Sequence, residues 1–279
     1  MVTVTSVSAL RERIRAWRGA GDTIGLVPTM GALHAGHISL VHRSRSLATR
    51  TCASIFVNPK QFAPGEDFAR YPRSPEADAA LLHTEGVDLL FTPDVAEIYA
   101  PDHATHVRVD GLGDTLDGTF RPGHFDGVAT VVAKLLLQAL PDVAVFGEKD
   151  WQQLQVIRRM VRDLNVPVRI EGAPTMREPD GLALSSRNAY LTPQERTAAP
   201  ALFRALTAVA AAVAGGEAAI PECDRAIRAL EQAGFGAVDY LTVRDAVTLD
   251  ARTDPSRPRR VLAAARLGRA RLIDNVPVP

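Results

Sequence analysis

Residues 27–41 read VPTMGALHAGHISLV. The apolar run 24–28 stops at Pro28, glycines at 31 and 36 loosen the turn, and a helical period starts near His37. A short apolar strand that feeds a helix through such a turn is the unit of a parallel sheet covered by helices. The helix start also suits an anion. Backbone N–H groups and the positive end of the macrodipole point outward there, and glycine allows close approach. His34 and His37 stand three apart in this turn and can donate to phosphate oxygens or steady charge building on phosphorus. A metal reading of the pair is weaker, because His103 and His106 repeat the spacing and no cysteine or adjacent glutamate completes a ligand set.

On either side of this stretch, apolar runs bounded by Gly, Pro or Asn predict further strands at 53–58, 87–92, 143–147 and 166–171. Helical periods predict helices from Ser74 with Pro75 in the first turn, over 126–139 and over 151–164. The N-terminus reads as a short strand running into an amphipathic helix, not as a signal peptide. From Pro200 the chain turns to Ala-rich helices, followed by AVDYLTVRD and the apolar runs RRVLAAARL and ARLIDNVPV. The expected organisation is an α/β domain over 1–175 and a smaller α+β domain over 176–279.

Lys plus Arg and Asp plus Glu each number 32, so the formal net charge is zero. This argues against a surface built to coat nucleic acid or anionic lipid. The longest uncharged apolar stretch, 205–216, is too short to span a bilayer. The two isolated cysteines, Cys52 and Cys223, offer no disulfide framework or CxxC metal site, which fits a reducing cytoplasm.

Four more segments can carry chemistry. In VAVFGEKDWQQLQVIRRM (143–160), Gly147, Glu148, Lys149 and Asp150 fall at a strand's carboxyl end, where open α/β sheets bind ligands. Lys149 can neutralise a polyphosphate and Gln153 can reach the same crevice; a capped helix start and a packing role for Trp151 would look the same. In SIFVNPKQFAPGEDFARYPRSP (54–75), a strand enters a long polar loop, and Gln61 could hydrogen-bond a small hydroxy acid. GLALSSRN (181–188) offers Ser185, Ser186 and Arg187 for phosphate binding, or a helix cap. In RPGHFDGV (121–128), Arg121 and His124 suit either capping or substrate contact.

Taken in order, PTMGALHAGH, SIFVNPKQF, YPRSPEAD, GVDLLFTP, RPGHFDGV, FGEKDWQQLQVIRRMV and DGLALSSRN closely resemble the pantothenate synthetases, the pantoate:β-alanine ligases. The resemblance implies a Rossmann-like nucleotide-binding domain with a small C-terminal lid. It implies ATP as substrate with Mg2+, a pantoyl adenylate, release of pyrophosphate and AMP, and a cytoplasmic homodimer that works on small molecules. Met30, Gly31, Ala32, Leu33, His34, Ala35, Gly36 and His37 would lie along ATP, with His34, His37 and Lys149 catalytic. Gly147, Glu148, Lys149 and Asp150 would line the nucleotide, Met176 would meet adenine, and Leu184, Ser185, Ser186 and Arg187 would close over the phosphates. Gln61 and Gln153 would hold pantoate, with Gln61 also near β-alanine. Ala35 stands where relatives often carry Glu, and Trp151 where Phe or Tyr is commoner. The competing readings are a nucleotidyltransferase of the same HxGH superfamily acting on a phosphorylated acceptor, and a nucleotide-binding module without turnover.

Overall fold

The computed structural model describes residues 1–63 and 65–279. In chain order the elements are β1 (Val2–Val4), α1 (Val7–Gly19), β2 (Ile24–Thr29), α2 (Ala35–Arg45), β3 (Arg50–Ile55), α3 (Pro75–Thr84) and β4 (Leu89–Phe91). They continue with α4 (Val95–Ile98), α5 (Asp117–Phe120), α6 (His124–Ala139), β5 (Val143–Gly147), α7 (Trp151–Asp163) and β6 (Arg169–Ala173). The rest are α8 (Pro193–Ala198), α9 (Ala201–Ala214), α10 (Ala219–Gln232), β7 (Val238–Asp245), β8 (Arg259–Leu267) and β9 (Ala270–Pro277).

The chain packs as two units. One comprises Met1–Asp114, Arg121–Glu148 and Gln153–Pro174; the other comprises Thr115–Phe120, Lys149–Gln152 and Thr175–Pro279. Two short segments that precede residue 175, at 115–120 and 149–152, therefore belong with the second unit.

The first unit holds a six-stranded sheet in the order β1-β4-β3-β2-β5-β6, every pair parallel. β2 lies inside it, with β3 on one side and β5 on the other. The sheet thus grows from β2 through β3 and β4 on one side and through β5 and β6 on the other, and the carboxyl ends of β2 and β5 form the switch point at which such sheets bind ligands. Ile24, Leu26 and Val27 of β2 are buried, as a strand covered on both faces requires.

Three strands differ by two or more residues at an end from the sequence expectation, while β2 runs one residue further, to Thr29. β3 starts at Arg50 and ends at Ile55, because its pairing with β2 runs from Ile24↔Arg50 to Thr29↔Ile55. β4 is trimmed to Leu89–Phe91, the residues that pair with both β1 and β3. β6 starts three residues late, because Asn165 takes φ +53° and the Val166 N–H still closes onto Val161 O of the preceding helix.

The second unit packs α9 and α10 on the antiparallel sheet β7-β8-β9. The run Pro193–Ala214 is long and apolar enough by length and composition to cross a membrane, yet half of its most apolar 18-residue stretch is buried. Leu202, Leu206, Val209 and Val213 share a core with Val261, Ala263 and Leu272, so the apolar stripe is a core face.

Candidate active site

β2 delivers its carboxyl end to a turn that Gly31 (φ +80°) and Ala32 (φ +50°) bend into the left-handed region. The bend is held from α3. Asp78, 3% exposed, accepts the Ala32 N–H at 2.8 Å, the Leu33 N–H at 2.9 Å and the Ser74 hydroxyl at 3.1 Å. A buried carboxylate needs such donors, and here it takes up the N–H groups that the turn would otherwise leave unmet. Thr29 Oγ1 accepts from Gly31 N–H at 3.2 Å and donates to Ser54 O at 2.8 Å.

The next residues close α2 with a capping box made of histidines. His34 is the N-cap and its Nδ1 accepts from Gly36 N–H at 3.1 Å, while His37 Nδ1 accepts from His34 N–H at 3.3 Å. The two rings stand 4.1 Å apart between centroids. A ring nitrogen that accepts an N–H carries no proton, so each neutral imidazole keeps its proton on Nε2. Both rings are thus fixed as Nε2–H donors at the start of a helix, beside its first backbone N–H groups.

Gln61 sits in the turn Pro59–Gln61 that follows β3. Its Nε2 donates to Met30 Sδ at 3.1 Å and its Oε1 accepts from Asn58 Nδ2 at 3.0 Å. Asn58 is 1% exposed and spends its remaining polar atoms on Gly127 O, Lys60 N–H and the Tyr99 hydroxyl. The first unit therefore brings Met30 and Gln61 into contact and pairs His34 with His37. Gly147 and Glu148 emerge at the same end of the sheet, since β5 pairs with β2 through Gly25↔Val143 and Leu26↔Ala144. Gln153 lies half-buried in the first turn of α7.

Within the second unit, Lys149 and Asp150 lie in a tight turn before α7, and the backbone there is clamped. Asn275 Nδ2 donates to Lys149 O at 2.8 Å, and Asn275 Oδ1 accepts from Arg260 Nε. Arg260 in turn stacks 3.6 Å from the centre of the Trp151 ring, whose Nε1 donates to Ala246 O at 2.7 Å. Gln152 donates to Thr115 O at 2.6 Å and accepts from Asp117 N–H at 3.0 Å. Asp117 also accepts from Arg271 at 2.6 Å and from the Tyr240 hydroxyl at 3.0 Å. Burial, then the neighbouring Asp117 carboxylate, holds the Tyr240 phenol well above its ordinary range, so it stays a donor.

Lys149 and Ser185 line one small pocket together with Ala183, Asn188, Phe203 and Asp274. Ser185 caps the short helical turn Ser186–Tyr190 by accepting from Arg187 N–H at 3.3 Å, and Leu184 N–H donates to Met176 O at 2.9 Å. Met176 is 43% exposed.

The sequence reading did not single out Asp78, Asn275 or Arg260. Asp78 left a trace, since it lies four residues before buried Leu82 and so on the apolar stripe of α3. Arg121 and His124, left open between two roles, lie against the Gln61 turn in the first unit. Neither cysteine belongs to this chemistry. Burial pushes the Cys52 thiol up to about 12 and the Cys223 thiol up to about 11.

A parallel sheet with a glycine turn and a capped helix N-terminus at its switch point is the architecture of the nucleotide-binding α/β class. The family described as pantoate-beta-alanine ligase matches residues 2–277. The chain is 61% identical over 275 residues to the pantothenate synthetase of Paramagnetospirillum magneticum, covering 99% of this chain and 97% of that one. It is 55% identical over 282 residues to that of Caulobacter vibrioides, covering 99% and 98%. The crystal structure of pantothenate synthetase from Thermus thermophilus superposes with a TM-score of 0.91 at 49% identity over 100% of this chain and 99% of that one. The pantoate-beta-alanine ligase of Francisella tularensis, complexed with beta-gamma ATP and beta-alanine, gives 0.82 at 31% identity over 99% and 97%. The chain belongs to the pantoate–β-alanine ligase family, and it is an enzyme that joins a carboxylic acid to an amine. The nucleotidyltransferase alternative is not favoured by these full-length matches.

Proposed function

We propose that the chain condenses pantoate with β-alanine in two steps at the residues described above. In the first, a pantoate carboxylate oxygen attacks the α-phosphorus of ATP, the bond to pyrophosphate breaks, and pantoyl adenylate forms. In the second, the β-alanine amine attacks the acyl carbon, the bond to AMP breaks, and the amine sheds a proton as the amide forms. Adenylation supplies the leaving group that a free carboxylate lacks, so the protein's task is to position the reactants and stabilise charge.

The observation that carries this reading is the histidine capping box at the carboxyl end of β2, in which both Nδ1 atoms accept main-chain N–H groups. His34 and His37 then donate to phosphate oxygens, with Met30 to His37 along the nucleotide. Gln61 holds the hydroxy acid and meets β-alanine, and Gln153 joins it on pantoate. Gly147, Glu148, Lys149 and Asp150 line ATP, with Lys149 on the phosphates. Met176 meets adenine, and Leu184, Ser185, Ser186 and Arg187 cover the phosphates. Among the described residues no three His, Cys, Asp or Glu side chains gather as a metal cage. Mg2+ commonly keeps its waters and is held largely by substrate phosphates, so this donor set fits an ion that arrives with ATP and screens its charge. Buried thiols suit a reducing cytoplasm, and family resemblance supports a homodimer.

The test is release of pyrophosphate and AMP from ATP and magnesium with pantoate, with and without β-alanine. AMP release that requires both acids is expected. Pyrophosphate release indifferent to β-alanine would return the nucleotidyltransferase reading.

A further inference from the structure

Gln61 is held by its main chain as well as by its side chain. His124 Nδ1 lies 2.8 Å from the Gln61 carbonyl oxygen, and Arg121 Nη2 reaches the same oxygen at 3.3 Å. A carbonyl only accepts, so His124 donates through Nδ1 and its Nε2 is left to accept from Arg121 Nη1 at 3.1 Å. Arg121 in turn grips both oxygens of Glu66 at 2.7 Å, in the planar two-point geometry that a guanidinium favours. Behind the turn, α6 passes so close that a Cβ on Gly127 would fall 2.2 Å from Lys60 O and 2.7 Å from Gln61 N. Asn58 completes the enclosure by joining Gly127 O to Gln61 Oε1.

We propose that Glu66, Arg121 and His124 are positioning residues for the hydroxy-acid substrate. They fix the Gln61 backbone so that its amide is already oriented when pantoate arrives, and they do not touch the substrate. The inference rests on the reading of Gln61 as a pantoate-binding residue and deepens it. It accounts for why two residues beside the site spend their hydrogen bonds on a main-chain oxygen and a carboxylate. Preorganisation of this kind acts on the substrate whose contact it orients.

The experiment is steady-state kinetics on Gln61→Ala, Arg121→Lys, His124→Asn, His124→Leu and Glu66→Gln, with melting curves for each. Asparagine places an N–H where His124 Nδ1 stands and leucine places none. The KM for pantoate should rise about tenfold in His124→Leu and Arg121→Lys, and stay within about twofold of wild type in His124→Asn, with the KM for ATP unchanged in all three. Glu66→Gln, which keeps the shape and loses the charge, should rise between these limits and serves if Arg121→Lys does not fold. An unchanged pantoate KM in His124→Leu and Arg121→Lys, alongside a raised value in Gln61→Ala, would overturn the inference and leave the Gln61 reading standing. An unchanged value in Gln61→Ala would overturn both. Equal losses in His124→Asn and His124→Leu, or equal rises in the KM for pantoate and for ATP, would show general packing and also overturn it.

Discussion

Asp78 Oδ2 accepts the main-chain N–H of Ala32 at 2.8 Å, across 46 residues of sequence, and this bond holds a non-glycine residue at φ +50° in the turn between β2 and α2. The carboxylate is buried, so its work is internal. Its negative charge is met by two main-chain N–H groups and the Ser74 hydroxyl.

Asp78→Asn should show this. The amide turns an N–H toward one of the two backbone donors and leaves it unmet, which costs about 1–3 kcal/mol. Thermal unfolding should move down by roughly 5 °C, and the KM for ATP should rise while the KM for pantoate changes less. Unchanged melting and ATP affinity would refute the role.

The histidine box separates capping from chemistry. His34→Ala removes the N-cap and should cost about 1 kcal/mol, whereas His34→Asn restores a cap and should melt as wild type. Both lack the Nε2–H donor, so turnover should fall by about 10²-fold in each, as it should in His37→Ala. Wild-type turnover in His34→Asn would show that the ring serves only the helix.

Asn275 ties the β9 strand to the backbone of Lys149. Asn275→Ala leaves Lys149 O and Arg260 Nε without this partner, and the KM for ATP is expected to rise by about tenfold with pantoate little affected. Lys149→Ala in the same background should add little further loss, since coupled residues are non-additive. Fully additive losses would separate the two.

The Glu66–Arg121 pair sets an acid limit. Burial alone would raise the Glu66 carboxyl, but the hydrogen bond and charge of Arg121 outweigh it and hold it below its ordinary 4.5. A carboxyl depressed in the folded state contributes stability that is present above its unfolded value and is lost as pH falls through the folded one. Melting temperature should therefore fall more steeply below about pH 4.5 in wild type than in Glu66→Gln, with the two curves parallel above it. Parallel curves throughout would mean the pair adds nothing.

Much of the sheet was legible because its signals are local. The run 24–28 and the glycines after it announce a strand and its turn, and β2 and α2 form there. His34, Gly36 and His37 lie within four residues of one another, so a helix start was legible there, expected near His37 and found at Ala35 with His34 as its cap. Strand ends were less legible: Ile55 ends β3 because Thr29 is its last partner on β2, and no property of residues 56–58 says so.

Local sequence is enough to set the alternation of strands and helices, the glycine turn after β2, and the segments that resemble the ligase family, because each is carried by neighbours a few residues apart. Which polar groups hold those segments in shape is settled only by packing in three dimensions. Asp78 meets Ala32 across 46 residues, Asn58 meets Gly127 across 69 and Asn275 meets Lys149 across 126. A hydrogen bond depends on distance in space, and no local period in the sequence records which distant donor and acceptor folding brings within about 3 Å.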